Sequence, residues 1–250
     1  MDLSPVEIKV NVEGDVPAAL AALGGTHGAM TTRRIWFAEH RDGVTEGRLP
    51  LLEGGTIVRL RIGGARDDLT VKLRPCTREQ LVGRFSAPFQ ASPLTYKIER
   101  DWSAGSRVLA ASLVHDHPPG ALSSAVGPGA GPTLPIDPVR DQFLHACAPD
   151  VQVDALVALG PVLATRFDDV PLDDLEGNLE AWSVAGLEFL ECSIRVKPKE
   201  DDDAEELVAR AERKQRKLED AVRARGVTPS EHSENKTKRV LTALAMAVQH

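Results

Sequence analysis

Aliphatic and polar residues alternate strictly over Val6–Val12, where Val6, Ile8, Val10 and Val12 are interleaved with Glu7, Lys9 and Asn11. Side chains two apart on a strand share a face, so this stretch predicts a strand with one apolar side and one charged side. The pattern recurs in Thr56–Ile62, which carries Arg59 and Arg61, and in Leu69–Leu73, which carries Lys72 with Arg74 just beyond. Gly54-Gly55 and Gly63-Gly64 punctuate these runs as turns between antiparallel neighbours. Further strands are expected over Arg34–Ala38, Leu94–Trp102 and Arg107–Val114, the last two joined by Ser103-Ala104-Gly105. A short helix is expected after the first strand, with Asp15 near its cap, Pro17 in its first turn and Gly24-Gly25 as its stop.

From His117 to Pro138 the chain turns to Pro, Gly, Ser and Ala, a composition that favours extended, poorly packed backbone and predicts a flexible insertion over 117–138. Val139–Cys147 and Val153–Leu159 read as short helices, the second ended by Gly160-Pro161. Strands resume at Val162–Phe167, Leu179–Val184 and Leu187–Val196, so the sheet draws on both sides of the insertion. Beyond residue 200 the period changes. Leu207, Val208, Ala211, Leu218 and Val222 fall near helical spacing in the charged segment Asp201–Arg225, and Glu206 with Arg210 and Glu219 with Arg223 stand four apart. A last helix is expected over 236–248. The expected organisation is a barrel domain over 1–200 and C-terminal helices over 201–250, packed on it or extending from it and available to a protein partner.

Composition narrows the function classes. The 250 residues hold 30 Lys+Arg against 37 Asp+Glu, a formal net charge of -7, which argues against general nucleic-acid binding through bulk charge. Cys76, Cys147 and Cys192 are far apart and lack CxxC spacing, so neither a disulfide framework nor a zinc site is indicated and a reducing cytoplasm fits best. No run approaches the roughly 18 apolar residues of a spanning helix, and a soluble protein without membrane association is expected.

The charged faces carry the chemistry. Arg59 and Arg61 project together, as do Lys72 and Arg74 on the neighbouring strand, and like charges so placed repel one another. A polyanion would offset that repulsion. Guanidinium groups grip phosphate oxygens in pairs and lysine adds a compact charge. The alternative is that these side chains line the wet face of an ordinary antiparallel sheet. Phe189, Glu191, Ser193 and Arg195 share one face of their strand, and Lys97, Glu99 and Asp101 share one of theirs. Arg166 either extends the basic lining or pairs with the acidic run Asp168–Asp174. His115 and His117 flank Asp116 at a spacing that can hold a transition metal on extended backbone, but lack a third nearby ligand. Ser123-Ser124 has no nucleophile elbow around it, and the GxxxxGK phosphate loop is absent.

Taken in order, Glu7-Ile8-Lys9, Gly54-Gly55 before Val58-Arg59-Leu60-Arg61, Leu69-Thr70-Val71-Lys72 and Gly186-Leu187-Glu188-Phe189-Leu190-Glu191 resemble the CYTH superfamily, the triphosphate tunnel metalloenzymes, over roughly Pro5–Val196. The resemblance implies an α+β protein built on a closed or nearly closed eight-stranded antiparallel β-barrel with flanking helices. Its lumen would hold a triphosphate on basic residues and Mg²⁺ or Mn²⁺ on acidic ones. Carried onto this chain, Arg59, Arg61, Lys72, Lys97, Arg166 and Arg195 would bind the phosphates, while Glu7, Glu191, Glu99 and Asp101 would hold metal. Lys9 with Glu7 would act at the reacting centre. The implied activity is metal-dependent hydrolysis of inorganic triphosphate, thiamine triphosphate or a nucleoside triphosphate. The alternatives are adenylate cyclisation, or polyphosphate or nucleotide binding without turnover. Two departures bear on this: one glutamate of the N-terminal signature is missing around Glu7 and Lys9, and Ser193 stands where the family's last strand commonly carries a second glutamate.

Overall fold

The structure, a computed structural model, describes residues 3–12, 14–25, 29–126, 137–153, 155–231 and 236–248. In chain order its elements are β1 (Val6–Val12), α1 (Val16–Ala22), β2 (Met30–His40), α2 (Arg41–Thr45), α3 (Pro50–Glu53), β3 (Thr56–Ile62), β4 (Asp67–Cys76) and β5 (Phe89–Ala91). These are followed by β6 (Leu94–Ser103), β7 (Ser106–His117), α4 (Pro138–Cys147), β8 (Leu156–Leu172), β9 (Leu175–Val184), β10 (Leu187–Val196), α5 (Ala204–Ala224) and α6 (Lys236–Val248). The strand order is β1-β10-β9-β8-β2-β3-β4-β7-β6-β5, and β1 also pairs with β6. Nine strands therefore close a hydrogen-bonded ring, with β5 outside it.

This corrects the expectation of eight antiparallel strands. The ring is mixed, because β1 runs antiparallel to β10 and parallel to β6. Of residues 153–159, expected to be helical, Leu156–Leu159 instead open β8, and residue 154 lies outside the described residues. A run of four apolar residues does not distinguish a buried helix from a strand. Gly160-Pro161 lies inside that strand: Gly160 has φ 151°, and a Cβ there would sit 2.8 Å from the Ile35 carbonyl oxygen, so only glycine fits the close backbone approach. Nor does the acidic run end the strand at Phe167. Val170 and Leu172, both fully buried, resume the alternation three residues after Phe167, past Asp169 at φ 55°, and the turn comes at Asp173 and Asp174. The insertion is described as far as Val126, with a single 3₁₀ turn over Ser123–Ala125; residues 127–136 of it lie outside the described residues.

The chain divides into two compact units, Met1–Thr32 with Glu99–Val108 and Ala164–Lys236, and Arg33–Ile98 with Leu109–Leu163 and Thr237–His250. In the first, Val6, Ile8, Val10 and Val12 of β1 and Leu190, Cys192, Ile194 and Val196 of β10 pack on Leu207, Ala211, Leu218 and Val222 of α5. That apolar stripe of α5 is the one its 3.6-residue period predicts, and Asp203 starts the helix with a complete capping box to Glu206. In the second, Val58, Leu60, Val71, Leu73 and Leu113 join Phe85, Tyr96 and Phe143, whose rings lie 4.9–5.5 Å apart. Burying alternate residues on these cores turns the intervening ones to the opposite faces. It is those faces that carry charge.

Candidate functional site: two charged strand faces

In the second unit the register settles which cations share a face. Arg59 stands opposite Thr70, Arg61 opposite Asp68, and Lys72 opposite Ile57 and Ser112. Residues directly opposite lie on the same side of the sheet, so Arg59, Arg61, Lys72 and Arg74 form one surface, away from the core side of Val58, Leu60, Val71 and Leu73. Arg33 joins them from β2, and its Nη1 donates to Asp68 Oδ2 at 3.0 Å. Asp68, 3% exposed in its side chain, also accepts from Arg61 Nε at 2.8 Å and from the Thr70 hydroxyl at 3.0 Å. One buried carboxylate is thus shared by two guanidinium groups, and Glu39, 1% exposed, alternates with Arg33 along β2 and brings a second carboxylate to this side. Lys97 is exposed on β6. A pocket of about 470 Å³ in this unit, lined by residues that include Leu49, Leu52, Lys238 and Met246, contains none of these cations.

The first unit carries the acidic counterpart. Antiparallel pairing sets Glu7 against Arg195, Lys9 against Ser193 and Asn11 against Glu191; parallel pairing sets Glu7 against Asp101. Glu180 stands opposite Glu191 across β9 and β10. Glu7, Asp101 and Glu191, all expected as metal ligands, therefore share one face with Lys9, and Glu99 joins by alternation with Asp101. Lys9 Nζ lies 2.9 Å from Glu7 Oε2 and 3.0 Å from Asp101 Oδ2. Burial pulls the Lys9 ammonium down, but the charges of Glu7, Asp101 and Glu191 outweigh it and hold its pKa above the ordinary lysine value. Lys9 is thus a fixed cation and cannot serve as a base. Arg195 pairs with Glu99. Arg166 Nε donates to Asp168 at 2.6 Å, the local pairing that the acidic run offered.

Mg²⁺ or Mn²⁺ would need several oxygen ligands converging on one point. Here Glu7 and Asp101 are engaged by Lys9, Glu99 by Arg195, and Glu180 and Glu191 by Lys236. Among the described residues no three His, Cys, Asp or Glu side chains are grouped to hold an ion. As arranged, this donor set does not fit a divalent metal. The cysteines offer no alternative nucleophile: all three are free and buried, and burial pushes the thiols of Cys76 and Cys192 up to about 11 and about 12.

Sequence reasoning missed Arg33, Asp68, Glu180 and Lys236. Glu180 was legible in the alternation of Asn178, Glu180 and Trp182; Lys236, at the start of α6, left no local signal. His115 and His117 stack with ring centroids 4.2 Å apart on β7. His115 Nδ1 lies 2.6 Å from Asp137 Oδ2, and Asp137 caps α4 through the N–H groups of Val139 and Arg140. The pair thus belongs to a structural network that includes buried Arg140. Burial, with the neighbouring charges of His115 and Arg140, holds the His117 pKa below the ordinary histidine value, while Asp137 and Asp67 act in the other direction. The unfolded chain then binds the extra proton near the ordinary value of about 6.5, so stability falls as pH drops through that value toward the lower folded one. The urea midpoint should rise between about pH 5.5 and 7.5, and His117→Gln should flatten the rise.

No protein-family model matches the chain, and no curated protein matches it in sequence. Solved structures do. The adenylyl cyclase candidate HpAC1 from Hippeastrum, reported with a dominant triphosphatase activity, aligns at 14% identity and TM-score 0.60, over 95% of this chain and 95% of that one. An adenylate cyclase candidate from Bacillus halodurans aligns at 14% identity and TM-score 0.55, over 94% of this chain and 96% of that one. At these identities the likeness establishes the fold. The chain shares the fold of these two proteins, an α+β barrel of the kind the ordered motifs implied, with nine strands in its ring.

Proposed function

We propose that this chain binds a triphosphate group, either inorganic or as the tail of a nucleotide or thiamine ester, through fixed guanidinium and ammonium groups. The observation that carries the reading is the shared face of Arg33, Arg59, Arg61, Lys72 and Arg74, where one carboxylate, Asp68, is already divided between two guanidiniums. Such a surface gathers guanidinium and ammonium groups on one side of adjacent strands, and phosphate oxygens match its forked donors. The triphosphatase activity of the Hippeastrum protein supports the same ligand class.

Turnover is the second reading, favoured by Glu7, Glu99, Asp101 and Glu191 falling on one face with Lys9. As arranged these carboxylates are engaged by Lys9, Arg195 and Lys236, so the sign of this reading would be phosphate release that depends on added Mg²⁺ or Mn²⁺. Adenylate cyclisation is a variant of this reading, decided by detection of cyclic AMP from ATP.

Thermal melting with tripolyphosphate, ATP and thiamine triphosphate, with Mg²⁺ or Mn²⁺ and with EDTA, tests the proposal. At about one hundred times Kd a ligand adds about 2.7 kcal/mol, which raises Tm by roughly 5–10 °C for a chain of this size. The rise with tripolyphosphate should survive EDTA. Absence of stabilisation by any of the three would overturn the binding reading, and phosphate release that appears only with metal would establish turnover.

A further inference from the structure

The acidic face of the first unit carries its own cation. Glu180 and Glu191 stand directly opposite each other on β9 and β10, a position in which two carboxylates repel. Lys236 meets both: its Nζ lies 3.0 Å from Glu180 Oε2 and 3.6 Å from Glu191 Oε1, and 4.0 Å from the centroid of the Trp182 ring. Trp182 follows Glu180 by two residues on β9 and so flanks it on the same face. The Lys236 side chain is 6% exposed, and a lysine is almost never so buried without partners. Two carboxylates and an indole face thus make a cage for one positive charge, and a tethered ammonium fills it.

An ammonium and a small divalent cation seek the same anionic oxygens, and at these separations they repel one another too strongly to share them. We propose that Lys236 is the resident cation of the Glu180–Glu191 pair, standing where a divalent metal would sit, and that this pair takes up a metal only when the ammonium is removed. This accounts for an acid-rich face whose donor set does not fit a metal. It goes beyond the triphosphate reading and does not depend on it.

The probe is Mn²⁺ alone, added to the full chain without phosphate ligand and followed by electron paramagnetic resonance of free Mn²⁺ and by calorimetry. Lys236→Met should bind Mn²⁺ about tenfold or more tightly than the wild type, the effect of deleting one adjacent like charge. Adding Glu191→Gln to that variant should abolish the gain, and Lys236→Arg should behave as the wild type. Glu191→Gln in the otherwise wild-type chain should leave Mn²⁺ binding unchanged, an arm that needs no alteration at residue 236. The inference is overturned if the wild type binds Mn²⁺ at a site that Glu191→Gln removes. It is equally overturned if Lys236→Met, folded by circular dichroism, binds Mn²⁺ no better than the wild type. Stabilisation by tripolyphosphate is read separately, so failure of one reading leaves the other standing.

Discussion

Replacing Arg59 and Lys72 together by alanine is expected to weaken tripolyphosphate binding by about 100-fold and to erase most of its thermal stabilisation. Each contributes a charge-assisted contact worth about 1.5 kcal/mol, and two such losses come to roughly two powers of ten. The side chains reach the same face from adjacent strands, one opposite Thr70 and the other opposite Ile57, so a chain of phosphates can touch both. The folded state should tolerate the change, since the apolar face of β3 and β4 is untouched. Arg48→Ala removes one exposed arginine whose partner is the exposed Glu46, and it gives the effect of one unit of charge lost elsewhere on the surface. Titration of the three proteins with tripolyphosphate by calorimetry decides the matter. Equal affinities would mean that the basic surface is only the wet side of a sheet.

How much of this was legible in the sequence follows from where the signals reside. Period-2 alternation is a local property, and it placed β1, β3 and β10 at their observed bounds because each buries one face on a core and leaves the other polar. It failed at β8, where Leu156 to Leu159 is continuously apolar and the strand runs on through Gly160-Pro161. The same alternation put Arg59, Arg61 and Lys72 on one surface, since a short turn fixes the partner strand and its register. The parallel pairing of β1 with β6 was not legible: it joins residues more than ninety apart, and nothing in either strand names the other. For that reason the acidic residues were found singly while their neutralisation was not foreseen. Lys9 could be read as a group poised to act on water; the register shows it locked between Glu7 and Asp101.

The two faces also differ in how their charges are paired. Both have internal ion pairs, but they balance differently. On the basic face Arg33 and Arg61 share the buried carboxylate of Asp68. On the acidic face each carboxylate expected as a metal ligand already has a tethered cation as its partner. Paired charges in a partly solvated site resist exchange with ions from water, because a newcomer must displace a partner that pays no entropy of association.

Asp68→Asn should therefore move stability and affinity in opposite directions. Asp68 accepts from Arg33, Arg61 and Thr70 while almost wholly buried, so deleting its charge leaves two guanidiniums adjacent and undercompensated. Removing one partner of a fully buried ion pair costs about 3–5 kcal/mol. Here the arginines are 27% and 26% exposed and water reaches them, so a loss of about 2 kcal/mol, roughly 4–8 °C in Tm, is the expected scale. The amide oxygen of asparagine can keep one of the donors, which also holds the cost below that limit. The freed positive charge should tighten tripolyphosphate binding about tenfold, and saturating ligand should restore the lost Tm. A sheet that merely faces water predicts the destabilisation without the gain in affinity. Parallel melts and titrations of Asp68→Asn and the wild type separate the two outcomes, and an affinity that falls with stability would reject an anion site on this face.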